Sequence, residues 1–165
     1  MRPRHGLTIV ECLVAMTILS VVVLVTCYTL AAGQQHLYEG NRAGSAVRLG
    51  RDLLEEIVAR DYRDRSPTNN GNNLGPESGE LTRAQFDDVD DYQNYNEAPG
   101  ALVDATGALY PAVDQVFRRK VTITKGNLSV IDLGTPFSGL TVKVIVTAPT
   151  GQQWVFQRFI PEPAQ

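Results

Sequence analysis

The chain has 165 residues, is 43% hydrophobic and 20% charged, and carries a formal net charge of −3. That length allows one small domain with a workable core, and the acidic balance gives no help to a nucleic-acid role. Its two cysteines, Cys12 and Cys27, are fifteen positions apart in one apolar stretch. On a helix that is about 22 Å, against the roughly 7 Å that a disulfide allows, so they read as small apolar side chains and not as a redox pair.

In chain order, the first element is a short basic leader, with Arg2, Arg4 and His5 ahead of Gly6. From Leu7 to Ala32 run 26 residues whose one formally charged side chain is Glu11, enough to cross a hydrocarbon core of about 30 Å as a helix. Basic residues flanking a span stay on the cytoplasmic side, which predicts the N-terminus in and the C-terminal part out. The order differs from a secretory signal, whose apolar stretch is shorter and ends in a small-residue cleavage site. A carboxylate inside a span is costly and by default marks function, so Glu11 is a candidate functional residue. A plain signal anchor with an incidental Glu11 is the rival reading.

The run Gly6-Leu7-Thr8-Ile9-Val10-Glu11 resembles the processing signal of type IV prepilins. The resemblance implies cleavage after Gly6 by a prepilin peptidase, N-methylation of the new terminal residue Leu7, and a role in assembly for Glu11. Most of the family has phenylalanine where this chain has Leu7. It also implies an α+β, pilin-like fold: a long N-terminal helix, transmembrane in its first half, packed on a small antiparallel β-sheet. Residues 1–6 would be the leader, 7–32 the transmembrane and assembly helix, and 33–165 a periplasmic domain. The physical logic is that the amine freed on Leu7 could pair with Glu11 of its own or a neighbouring subunit, since an unpaired carboxylate in an apolar filament core is heavily penalised.

Beyond the span, Leu37, Val47, Leu49, Leu53, Leu54, Ile57 and Val58 fall on a broad face, which predicts that one helix continues to about Tyr62. Gly33, Gly40, Gly44 and Gly50 each weaken it by about 1 kcal/mol relative to alanine. Pro67 and the Asn/Gly-rich stretch that follows should stop it at 63–66, opening a variable loop over 63–113.

The loop contains Phe86-Asp87-Asp88-Val89-Asp90-Asp91-Tyr92. Hard oxygen ligands so closely spaced make Asp87, Asp88, Asp90 and Asp91 candidate Ca2+ ligands, although the glycine and distal glutamate of an EF-hand loop are missing. The alternative, and the expectation, is a solvated acidic loop without metal, pinned to the domain by Phe86, Val89 and Tyr92. Together with Leu53-Leu54-Glu55-Glu56-Ile57, this run is similar to the minor pilins of the MSHA-pilus D-subunit (MshD-like) and PilV groups.

A sheet is expected over 114–160, with strands at 117–124, 140–148 and 153–159 and a short addition at 128–133. Leu140, Val142, Val144 and Val146 should face one way and Thr141, Lys143, Ile145 and Thr147 the other. Pro149-Thr150-Gly151-Gln152 supplies a hairpin turn, and Trp154 and Phe156 should pack on the helix.

These residues point to a non-catalytic minor pilin or pseudopilin, with an adhesive or ligand-binding tip subunit as the alternative. The resemblance implies as partners a major pilin, other minor pilins, the prepilin peptidase, an inner-membrane assembly platform and the lipid bilayer. Enzyme chemistry has little to work with: once a leader is removed the one histidine is His36, beside the span, and no cysteine lies beyond it. No cofactor is expected.

Overall fold

A computed structural model describes residues 8–62, 74–129 and 136–163. Its elements are helix α1 (Ile9–Val58), a two-residue strand β1 (Asn96–Glu97), and strands β2 (Arg118–Leu128), β3 (Phe137–Thr147) and β4 (Gln153–Pro161). The chain divides into two compact units, 1–43 and 44–165. The first comprises the apolar part of α1; the second holds the last turns of α1, the loop and the sheet.

In the second unit the architecture is α+β, a helix packed on a four-stranded antiparallel sheet of order β1-β2-β3-β4. β2 and β3 pair along their whole length, from Arg118 with Thr147 to Leu128 with Phe137. Alternation orients the sheet as its sequence demands. Leu140, Val142, Val144 and Val146 are buried against the helix, and Thr141, Lys143, Ile145 and Thr147 are turned to the other face. The turn into β4 closes through the Ala148 N–H on Gln152 O (2.9 Å) and the Gly151 N–H on Ala148 O (2.9 Å), with Gly151 at φ 85°.

Helix α1 contributes Ala46, Leu49, Gly50, Leu53 and Ile57 to the buried interface, spaced three and four apart. Burial of the leucines and isoleucine stabilises by about 1.5–3 kcal/mol each. Leu53 and Ile57 join Phe86, Val89, Tyr92, Val121, Ile123, Val142 and Val144, while Ala46 and Leu49 join Leu102, Phe117 and Val146. Phe156 touches both groups, and Trp154 packs edge-on to Phe117. Of the face expected from hydropathy, Leu49, Leu53 and Ile57 are buried and Leu54 and Val58 half-buried, but Leu37 and Val47 are exposed, and the small residues Ala46 and Gly50 take buried positions instead.

Two boundaries differ from expectation. The helix ends at Val58, four residues before Tyr62, because the Ala59 N–H is shared between Glu55 O and Glu56 O and the Arg60 N–H turns to Ile57 O. Asp61 then leaves the helical path and pairs with Asp88, its carbonyl accepting the Val89 N–H at 3.0 Å. The stretch expected as loop also contains β1, whose Asn96 and Glu97 pair with Lys120 and Arg119. Strands β2 and β3 run longer than expected; Leu128 closes β2, and 130–135 lie outside the described residues, as do the 63–66 stop and the asparagines after Pro67.

Candidate functional site

The first described residue of the N-terminal unit is Thr8; Gly6 and Leu7 lie outside the described residues. Thr8 donates its N–H (2.8 Å) and its hydroxyl (3.0 Å) to one Glu11 oxygen, Oε2, while the Glu11 N–H donates to the Thr8 hydroxyl oxygen at 3.3 Å. This is a capping box, and it satisfies orphan donors at the start of the helix while placing negative charge at the positive end of its dipole. Sequence reasoning valued Glu11 for its charge and overlooked the T-x-x-E spacing that announces the cap.

Behind the cap, α1 carries no charged side chain up to Ala32, and an 18-residue window within it is long and apolar enough to cross a membrane, with none of it buried. Ile9, Val10, Leu13, Met16, Leu19 and Leu24 are all more than half exposed. The aliphatic hydroxyls inside this stretch bond back to the helix: Thr17 donates to Val14 O, Ser20 to Met16 O, Thr26 to Val22 O and Thr29 to Thr26 O, at 2.7–2.9 Å. These four hydroxyls therefore need no water, which suits a lipid or helix-packed environment, while the Tyr28 side chain is exposed. Cys12 and Cys27 are free and exposed on it.

The second unit places three of the four candidate aspartates indoors. Asp88, Asp90 and Asp91 are buried and only Asp87 is exposed, so the run is not the solvated loop expected, although Phe86, Val89 and Tyr92 do pin it. The cause is backbone demand. Asp88 Oδ1 accepts the N–H groups of Asp90 (2.8 Å) and Asp91 (3.3 Å), Asp91 Oδ2 accepts those of Asp87 (2.9 Å) and Asp88 (3.1 Å), and Asp90 Oδ2 accepts that of Gly75 (3.3 Å). A tight turn tucked into a core turns its amides inward, and short carboxylates are the acceptors that reach them. Burial pushes the Asp88 carboxyl up to about 8, with the bond and charge of Asp90 and the charge of Asp91 adding to it. Burial likewise raises Asp91 to about 6, helped by Glu80.

Beneath this loop runs an alternating chain of buried charges, Glu56–Arg83–Glu97–Arg119. Arg119 is fully buried and donates to Glu97 Oε2 (2.5 Å), Leu49 O (3.2 Å) and Val103 O (2.6 Å). Arg83 donates through Nη1 to Glu97 Oε1 (2.9 Å) and Val103 O (3.0 Å), and through Nε and Nη2 to both oxygens of Glu56. Tyr92 and Tyr95 add hydroxyl donors to Glu56 (2.8 Å) and Glu97 (3.1 Å). Burial works against charge on Glu56, but its bonds to Arg83 and Tyr92 outweigh that and hold its pKa below the ordinary range. Burial and the Glu56 bond push the Tyr92 phenol up to about 12. Arg83 stays firmly charged, because Glu56 and Glu97 overcome its desolvation.

This chain ties the helix, the loop and the sheet together, and its hydrogen-bonding capacity is spent on structure. Sequence reasoning missed it because its members are far apart along the chain. The one local signal for it is strand alternation, which sets Arg119 on the same face as the buried Val121 and Ile123.

Against known proteins, a family model described as the prokaryotic N-terminal methylation motif matches residues 1–26. No curated protein and no solved structure matches the chain.

Proposed function

We propose that the chain is a minor type IV pilin or pseudopilin, a structural and assembly subunit of a pilus or secretion-type filament. The observation that carries this reading is the N-terminal methylation motif over residues 1–26, on a helix whose first part is apolar and unburied. Such an apolar stretch needs lipid or other helices around it, and a filament core of packed helices supplies the second environment as a bilayer supplies the first.

In this reading a prepilin peptidase cuts after Gly6, Leu7 becomes the N-methylated terminus, and residues 7–32 serve in turn as membrane span and assembly helix. Arg2, Arg4 and His5 keep the leader in the cytoplasm, and the domain from 33 onward is periplasmic until it is drawn into a filament. Partners are a major pilin, other minor pilins and the inner-membrane assembly platform. Similarity of the Leu53–Ile57 and Phe86–Tyr92 segments to the MshD-like and PilV groups supports the minor-pilin assignment.

Glu11 has a defined job in it. Its carboxylate is held by the cap at the start of the helix, and in this reading it would pair with a terminal amine, either its own or that of a neighbour. Pairing inside an apolar bundle would fix register, because an unpaired buried charge is strongly disfavoured. Glu11→Ala should remove the protein from sheared filaments while leaving its level in the membrane and the unfolding midpoint of its folded domain unchanged. Filament incorporation equal to wild type would contradict the assembly role.

A further inference from the structure

We propose that Glu77, Glu80 and Asp91 form a Ca2+ site that fastens the 77–80 turn to the acidic run. One carboxylate oxygen from each of these residues lies within 4.8 Å of the others. Ca2+ binds oxygens at about 2.3–2.6 Å, so oxygens on opposite sides of one ion stand about 5 Å apart and a single ion reaches all three.

The fold builds this convergence from two directions. The turn Glu77-Ser78-Gly79-Glu80 closes through the Glu80 N–H on Glu77 O at 3.1 Å, with Gly79 at φ 121°, a value that suits glycine. The Glu77 N–H also donates to Glu80 Oε2 at 3.1 Å, which brings that side chain back over the turn. Asp91 arrives from the short 3-10 turn Asp90–Tyr92, gripped by the amides of Asp87 and Asp88.

A second observation points to a ligand. Asp91 is 1% exposed, and while Oδ2 takes both of those amides, Oδ1 is buried with no hydrogen-bond partner. A buried carboxylate oxygen left unmatched is costly, and here it belongs to the residue that the turn's two glutamates approach. A cation supplies the missing partner and offsets the repulsion between Asp91 and Glu80. The donor set is all oxygen and all carboxylate, which excludes the softer transition metals as the preferred ion. An irregular shell completed by water suits Ca2+ better than Mg2+, which demands near-ideal octahedral geometry. The other three aspartates of the run stand outside this group: Asp88 Oδ1 and Asp90 Oδ2 accept backbone amides, Asp88 Oδ2 is buried away from the group, and Asp87 is exposed.

The test uses the full chain in detergent micelles, stripped with chelator and then titrated with CaCl2 alone, with thermal unfolding followed by Trp154 fluorescence. The midpoint should rise by about 5–10 °C at saturation, with half-saturation between about 0.1 and 1 mM, the range of extracellular Ca2+ modules. Glu80→Gln and Glu77→Gln should each lose the Ca2+ increment, and Glu80→Gln should unfold in chelator at or above the wild-type temperature, because it removes a charge that repels Asp91. Asp87→Asn, outside the group, should keep the increment. The proposal is overturned by the absence of any rise up to about 10 mM, by an equal rise with MgCl2, or by an undiminished rise in either glutamine variant.

Discussion

Gly50 of α1 lies directly beneath the ring of Phe156 on β4, so close that a Cβ on Gly50 would come within 2.2 Å of a ring carbon. The helix and the last strand can approach there because the helix has no side chain at that point. Alanine would gain about 1 kcal/mol in helix propensity but force a rigid ring out of its place, and overpacking costs about 1–3 kcal/mol. Gly50→Ala should therefore lower the stability of the domain by up to about 2 kcal/mol in urea unfolding. Gly44→Ala meets nothing within 4 Å and should stabilise by up to about 1 kcal/mol. If the two variants moved the midpoint in the same direction, the close approach would not be what fixes glycine at 50.

The buried charge chain makes a second contrast. Arg119→Met leaves Glu97 short of a partner and strips the carbonyls of Leu49 and Val103 of a donor, and should cost about 3–5 kcal/mol. By comparison, the Arg51–Glu55 pair has side chains 66% and 64% exposed, and Glu55→Gln should change stability by less than about 1 kcal/mol. Urea midpoints of the two variants at neutral pH decide it. Equal effects would mean that the buried chain is no more coupled to folding than a surface pair.

Acid should weaken the domain partly through Glu56. Its pKa in the folded chain lies below the ordinary 4.5, so the folded state binds its proton less readily than the unfolded state. The resulting stability is present above about 4.5 and is lost as pH falls through the folded value. Glu56→Gln should flatten the fall in urea midpoint between pH 5 and pH 3, at the cost of a lower midpoint at neutral pH. An acid limb as steep as wild type would assign the loss to other carboxylates.

Alkali should act through Tyr92. A phenol raised from 10 to about 12 keeps its proton in the folded state after the unfolded chain has released it. Its contribution is intact below pH 10 and declines as pH rises toward 12. Tyr92→Phe should shallow that decline, read from the unfolding midpoint between pH 9 and pH 11.

How far the sequence could be read depended on how local each signal was. The apolar stretch, the alternation of Leu140 to Val146 and the turn at Gly151 are short-range patterns, and all appear in the fold as expected. The helix face was misjudged at Val47 and Leu37 because hydropathy rewards large side chains, whereas close packing under Phe156 selected the small Ala46 and Gly50. The early end of α1 was invisible because the competitor is a distant one, the pairing of Asp61 with Asp88. Likewise the aspartates of the acidic run look like a solvated patch until the inward amides that they satisfy are known. Glu11 was legible twice over, as a lone charge in an apolar run and as the last residue of a T-x-x-E cap, although only the first was taken up.

The central claim is that this chain is processed at its N-terminus as a prepilin, and intact-mass and N-terminal analysis tests it most directly. Wild type and Gly6→Ala should each be produced with and without a prepilin peptidase and recovered from membranes. The account predicts a mature wild-type chain that begins at Leu7 and carries one added methyl group, formed only when both Gly6 and the peptidase are present. A wild-type chain that keeps Met1 or Arg2 in the presence of an active peptidase would contradict it, leaving the apolar helix as an anchor and nothing more.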